Sequence, residues 1–215
     1  MLASLAMKIA VSGKNGRVGK EVVKCIEADQ ECVLVSPEEA DVIIDFSHPS
    51  RTAELLSLEK PLAMGTTGHE SFAEIEKAAE KIPLLYAANF SLGILLMREM
   101  STFLSRFLGE RASFDLIEEH HESKVDAPSG TALSLARALE KEIPIHSIRS
   151  RGSFGEHSLR IGLPGEQLTI THRALGRDLY ARMALESAKI LIHKPPKLYS
   201  LEELFYADIL RPLCH

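Results

Sequence analysis

Gly13-Lys14-Asn15-Gly16-Arg17-Val18-Gly19 decides the fold, because of what stands on either side of it. Before it, Lys8-Ile9-Ala10-Val11-Ser12 is a short apolar run of the kind that makes a buried strand. After it, Val22, Val23 and Ile26 recur at helical spacing as far as Ala28. A strand that passes through a glycine turn into a helix aims free N–H groups and the positive end of the helix dipole at a diphosphate, and the glycines let the main chain approach it. Three glycines in a turn are weak evidence alone, and it is the flanking strand and helix that favour a dinucleotide site over a plain turn. The candidate cofactor ligands here are Gly13, Lys14, Asn15, Gly16, Arg17 and Val18.

Working outward, residues 32–35, 41–46, 62–64 and 83–88 predict further strands, with helices over 52–58 and 71–81 between them. Strands alternating with helices mean a parallel sheet joined by crossovers. Gly65-Thr66-Thr67-Gly68 and Ala87-Ala88-Asn89-Phe90-Ser91 each follow one of these strands, and an open parallel sheet binds its ligands beyond the carboxyl ends. Small residues there let a flat nicotinamide lie against the backbone. The acid that usually binds the adenosine ribose should fall ~20 residues past the glycine turn. Ser36-Pro37 stands there, with Glu38 and Glu39 beyond, so both NADH and NADPH stay open. Lys14 is either a 2′-phosphate contact or a solvated loop lysine.

The pattern changes after residue 91. A long helix over 92–108 leads to a strand over 115–121, a helix over 130–141, and strands over 145–149, 158–162 and 167–174. A helix over 179–192 follows, and the closing stretch 198–210 returns to the first sheet. The expected architecture is α/β: a Rossmann-type parallel-sheet cofactor domain (1–91 with 193–215) and an α+β substrate and oligomerisation domain (92–192).

The densest chemistry is Glu118-Glu119-His120-His121-Glu122-Ser123-Lys124-Val125-Asp126-Ala127-Pro128-Ser129-Gly130-Thr131. A strand delivers two histidines and a lysine to a polar loop, and a helix starts at its end. Histidine transfers protons near neutral pH, and lysine holds an anion or donates a proton. The N–H groups of Gly130 and Thr131 at the helix start suit a carboxylate. Adjacent strand residues point to opposite faces, so His120 and His121 are poorly placed to share a metal, and none is expected.

Composition narrows the partners. A net charge of −5 with scattered Lys and Arg argues against nucleic acid or an anionic membrane as partner. Cys25, Cys32 and Cys214 lack metal-ligand spacing and fit reduced thiols. The most apolar window, residues 84–97, is broken by Asn89 and Ser91 and is shorter than the ~20 residues that span a bilayer. Residues 1–6 are too few for a signal peptide and Met7 is an alternative start, so the expected location is cytoplasmic.

Glu119-His120-His121 through Lys124, with Asp126-Ala127-Pro128-Ser129-Gly130-Thr131-Ala132, resembles the signature of the dihydrodipicolinate reductase family. Gly13 to Gly19, Asp45-Phe46-Ser47, Gly65 to Thr67, Asn89-Phe90-Ser91, Gly155-Glu156-His157, His172-Arg173-Ala174 and Leu198-Tyr199-Ser200 are similar to further family segments. The resemblance implies His120 as catalytic acid/base and Lys124 as proton donor, with His121, Gly130 and Thr131 as substrate ligands. It implies nicotinamide contacts from Gly65, Thr66, Thr67, Ala87, Ala88, Asn89 and Phe90, no metal, a dicarboxylate substrate and a homotetramer. The sequence departs from the family in the short stretch before Asp41, at Ser36, at Leu175-Gly176-Arg177 and at Arg182-Met183. Other nicotinamide reductases share the glycine turn but lack the His-His-x-x-Lys loop, and a non-catalytic nucleotide sensor has no need of a proton donor.

Overall fold

In the computed structural model, which describes residues 6–205, the chain enters β1 (Met7–Ser12), whose last four residues are buried. The glycine turn follows and opens α1 (Arg17–Ala28), which buries Gly19, Val22 and Ile26. Next come β2 (Cys32–Leu34), β3 (Val42–Asp45), α2 (Thr52–Ser57), β4 (Leu62–Met64), α3 (Ala73–Ala79) and β5 (Pro83–Tyr86). β3 and β4 are buried throughout, as strands of a parallel sheet covered on both faces should be.

Two glycines of the turn are fixed by geometry. Gly13 has φ +79°, and a Cβ there would lie 2.3 Å from the Phe46 carbonyl oxygen, just past β3. A Cβ on Gly19 would lie 2.1 Å from the Gly13 carbonyl oxygen, so α1 reaches the turn this closely only with hydrogen at that position.

β1 lies between β2 and β3, yet only residues 35–41 join those two strands. A parallel crossover ordinarily takes about a dozen residues, because the chain must travel back along a strand. Here β2 pairs with the first half of β1 (Met7↔Cys32 to Ile9↔Leu34), and β3 with the second half (Ile9↔Val42 to Ser12↔Asp45). The chain leaves β2 and enters β3 at the same level, opposite Ile9, so a short connection containing a 3-10 turn at Pro37–Glu39 suffices.

The chain divides into two compact units, the second being Ser91–Gly176. It holds α4 (Leu92–Leu108), β6 (Ser113–His121), α5 (Gly130–Ala138), β7 (Ile145–Ser150), β8 (Glu156–Leu163) and β9 (Glu166–Arg173). The sheet order is β7-β6-β8-β9, with β6–β7 parallel and the other pairs antiparallel. Both helices pack on one face, where Ile94, Met97 and Leu135 meet Phe114, Leu116 and Leu159. Ser91 and Ser129 cap α4 and α5, accepting from the amides of Ile94 (3.2 Å) and Ala132 (3.1 Å). His172 and His157, cross-strand partners in β9 and β8, place Nε2 at 3.2 Å and 3.3 Å from those same two hydroxyls. A histidine thus fixes each helix start to the sheet, His157 buried and His172 half-buried.

The next helix, α6 (Asp178–Leu191), corrects the expected division at residue 192: it belongs to the first unit, which resumes at Arg177. Ala181, Ala184 and Ala188 are fully buried and let α6 come close to α1 and to the strands β3–β5. Lys189 ties it to the end of α1 through Asp29, at 2.7 Å. Periodicity revealed the helix and its apolar stripe, but not which sheet would cover the stripe. β10 (Lys197–Tyr199) then adds to β5 in parallel, completing the order β10-β5-β4-β3-β1-β2, and α7 (Leu201–Phe205) follows. The remainder of the closing stretch to residue 210, Cys214 and residues 1–5 lie outside the described residues.

Candidate active site

A cavity of about 720 Å³ opens at the carboxyl ends of β1 and β2, walled by the Gly13–Gly16 turn, Ser36, Ser47 and Arg51. Gly16 caps α1 with no side-chain hydrogen bond, so no side chain covers the first-turn amides. Lys14, Asn15, Gly16 and Arg17 are exposed and Val18 is half-buried. Bare amides, a glycine cradle and basic neighbours fit a dinucleotide diphosphate. Arg51 was missed in the sequence, although a basic residue just past the third strand was a signal for it. Its guanidinium lies 2.8 Å from Glu54, and the Ser36 hydroxyl donates to Glu39 at 3.1 Å.

The loops after β4 and β5 stand beside the Phe46 turn. The Gly65 amide donates to the Asp45 carbonyl (2.8 Å) and the Ala87 amide to the Met64 carbonyl (3.0 Å). Thr66 is buried, and its Oγ1 accepts from the Ser47 amide at 2.9 Å, so this hydroxyl ties two loops together. Phe90 is 1% exposed and meets Phe46 edge-on at 5.5 Å. Thr67 and Ala88 are exposed, and Asn89 is half-buried. Of the seven expected nicotinamide contacts, then, Thr66, Ala87 and Phe90 are buried.

In the second unit, β6 alternates with period two: Phe114, Leu116 and Glu118 are buried on one face, and His120 follows on that face. His121 points the other way, with Nδ1 2.8 Å from the Ser123 hydroxyl. Glu118 is fully buried, and its two oxygens have different partners. Oε2 meets Nδ1 of His120, and Oε1 accepts from Arg149 Nη2 at 2.7 Å. Burial by itself raises the Glu118 carboxyl, but hydrogen bonds from Arg149, Ser147 and His120 outweigh it and hold the group at about 2. Glu118 is therefore a carboxylate at neutral pH.

His120 titrates below the ordinary histidine range because burial opposes its charge, with Lys124 and Arg149 adding to that and Glu118 opposing it. A neutral ring beside a carboxylate donates through Nδ1 and keeps its lone pair on Nε2. His157 packs edge-on at 5.2 Å, and burial pushes it down to about 3. Lys124 donates to Asp126 Oδ1 at 2.7 Å with its side chain 23% exposed. Gly130 is exposed and opens α5, and a Cβ there would meet nothing within 4 Å. Glu118, Asp126, Arg149 and His157 were given no role from the sequence. For Glu118 the signal was available: a carboxylate continuing an apolar alternation, two residues before a histidine.

Two family models match the chain: dihydrodipicolinate reductase, N-terminus, over residues 7–39 and 35–90, and dihydrodipicolinate reductase, C-terminus, over 93–205. The chain belongs to the dihydrodipicolinate reductase family. It is 36% identical over 234 residues to the 4-hydroxy-tetrahydrodipicolinate reductase of Xanthomonas campestris, covering 92% of this chain and 97% of that protein. The enzyme of the same name from Rubrobacter xylanophilus is 31% identical over 254 residues, covering 92% and 98%. A solved structure, dipicolinate-bound dihydrodipicolinate reductase from Paenisporosarcina sp., shares the fold with TM-score 0.78 at 21% identity, covering 92% and 98%. Family membership makes the chain a nicotinamide-dependent reductase. The N-terminal match breaks at residues 35–39, within the short β2–β3 connection.

Proposed function

We propose that this reductase converts 4-hydroxy-tetrahydrodipicolinate, with loss of water, to tetrahydrodipicolinate in the diaminopimelate route to lysine, and that either NADH or NADPH serves it. The observation that carries the site reading is the buried Glu118 carboxylate behind His120, in a strand that leads directly to Lys124 and the start of α5.

The glycine turn and the loops Gly65 to Thr67 and Ala87 to Phe90 would hold the cofactor, which when bound supplies a hydride to the conjugated C=C–C=N ring that loss of water leaves. The rest is done by the chain. The amides of Gly130 and Thr131 and the His121 ring bind the substrate carboxylates. Lys124 donates the proton that neutralises the charge developing on the ring, and Asp126 keeps its ammonium in place. His120, with Nδ1 held by Glu118, presents Nε2 as the acid/base end. Lys14 and Arg51 support acceptance of a 2′-phosphate, and the absence of any carboxylate among the residues walling that cavity favours neither nucleotide strongly.

No helix among the described residues is long and apolar enough to cross a membrane. The sheet face opposite α4 and α5 carries Ile148, 46% exposed, and Thr171, also exposed, and such a face supports the homotetramer reading. Calorimetry with pyridine-2,6-dicarboxylate, a flat analogue of the product, tests the substrate assignment. It should bind, and more tightly once cofactor is present. No binding under either condition would remove the assignment.

A further inference from the structure

Arg149 stands opposite His120 in the parallel β6–β7 pair. Its guanidinium is shared among three acceptors. Nη1 donates to the Ile148 carbonyl at 2.8 Å, while Nη2 donates to Glu118 Oε1 at 2.7 Å and to the Asp126 carbonyl at 2.6 Å. The other Glu118 oxygen meets His120, and the Asp126 side chain accepts from Lys124. One side chain therefore touches both the carboxylate behind His120 and the segment that carries Lys124.

We propose that Arg149 is a positioning residue: it holds the Glu118 carboxylate against Nδ1 of His120 and, through the Asp126 carbonyl, fixes the loop that presents Lys124. The proposal rests on the reading of His120 and Lys124 as the proton-transfer pair. A buried carboxylate stays ionised only with strong partners, and here Arg149, Ser147 and His120 supply them, with His157 directly across the strand pair. His120 in turn faces Glu118 on its own strand, Arg149 on β7, His157 on β8 and Lys124 from the loop. Arg149 draws on the Glu118 charge from one side, so His120 is not forced to hold a second proton on the other. A planar fork reaches several fixed acceptors at once, and an ammonium on a flexible stem does so less well.

The test compares Arg149→Met, Arg149→Lys and Glu118→Gln by NMR titration of the His120 ring, assigned by its loss in His120→Ala, and by calorimetry with pyridine-2,6-dicarboxylate. In Arg149→Met the Glu118 charge falls to His120 alone. The ring's titration midpoint should rise by about one pH unit or more, and dicarboxylate affinity should weaken roughly tenfold or more as the loop loosens. NADH affinity should not change. Arg149→Lys should restore the midpoint and only part of the affinity. If Arg149→Met does not fold, Glu118→Gln reads the same contact with opposite sign: the midpoint must fall, because the ring loses its anion. Lower melting temperatures with unmoved titration and unmoved dicarboxylate affinity would overturn the proposal. Full turnover in His120→Ala and Lys124→Ala would instead overturn the reading on which it rests.

Discussion

Lys124 and His120 take different parts in the proposed chemistry, and truncation should separate them. Lys124 is a charged donor, held by Asp126, for a charged substrate. Lys124→Ala should lower kcat by roughly 10²–10⁴, the range for a positioned proton donor. KM should also rise, since a charge-assisted contact contributes ~1.5–3 kcal/mol. His120→Ala should lose comparable rate with a smaller change in KM, because its part is proton transfer. Steady-state kinetics on both variants, with folding checked by thermal melting, reads this. A surface lysine would leave turnover within a few-fold of wild type. At this scale the residues that carry chemistry were legible, because histidine, lysine and a helix-opening glycine stand together in one run. Of their supports, Glu118 was legible in that run and Arg149 was not. Arg149 is distant in sequence, and only the β6–β7 register brings it to Glu118. Thr66 and Phe90, expected to contact the nicotinamide, have side chains that bond the Ser47 amide and pack on Phe46, contacts the sequence did not reveal.

The elements of the second unit meet at groups whose ionisation the fold perturbs. Burial holds His157 at about 3 and also lowers His172, and these rings fix the starts of α5 and α4. An unfolded histidine binds its proton near pH 6.5, whereas folded His157 stays neutral until about 3. The unfolded state therefore binds more protons between those values, and stability falls as pH drops through that window, by at most about 1.4 kcal/mol per pH unit for each such ring. Glu118, lowered from 4.5 to about 2, contributes stability that is present above 4.5 and lost as pH falls toward 2. Thermal melting should show a clear drop between pH 7 and pH 5. His157→Gln keeps a polar partner for Ser129 without a titrating ring, and should flatten that drop. An equal slope in the variant would contradict the account. Strands and helices were readable here because their periods differ. The bounds moved where local geometry intervened: the helix predicted to reach residue 141 ends at Ala138, just before Glu140 takes φ +55°.

At the scale of the whole molecule, apolar strands alternating with helices after the glycine turn were enough to predict the parallel sheet. The connection of residues 35–41 was harder to read, because its shortness depends on β2 and β3 sharing β1 half and half. The placement of α6 was not legible either, since an apolar stripe does not name the surface that covers it. The claim that unites both units is that this chain reduces one specific cyclic dicarboxylate with either nicotinamide. The most direct measurement is oxidation of NADH and of NADPH by the purified protein, followed optically, with substrate made freshly by dihydrodipicolinate synthase. The account predicts turnover with both cofactors, with kcat/KM values within about tenfold, a gap of ~1.4 kcal/mol. More than a hundredfold selectivity would show that the Ser36 and Arg51 surroundings discriminate, and no substrate-dependent oxidation of either cofactor would contradict the function itself.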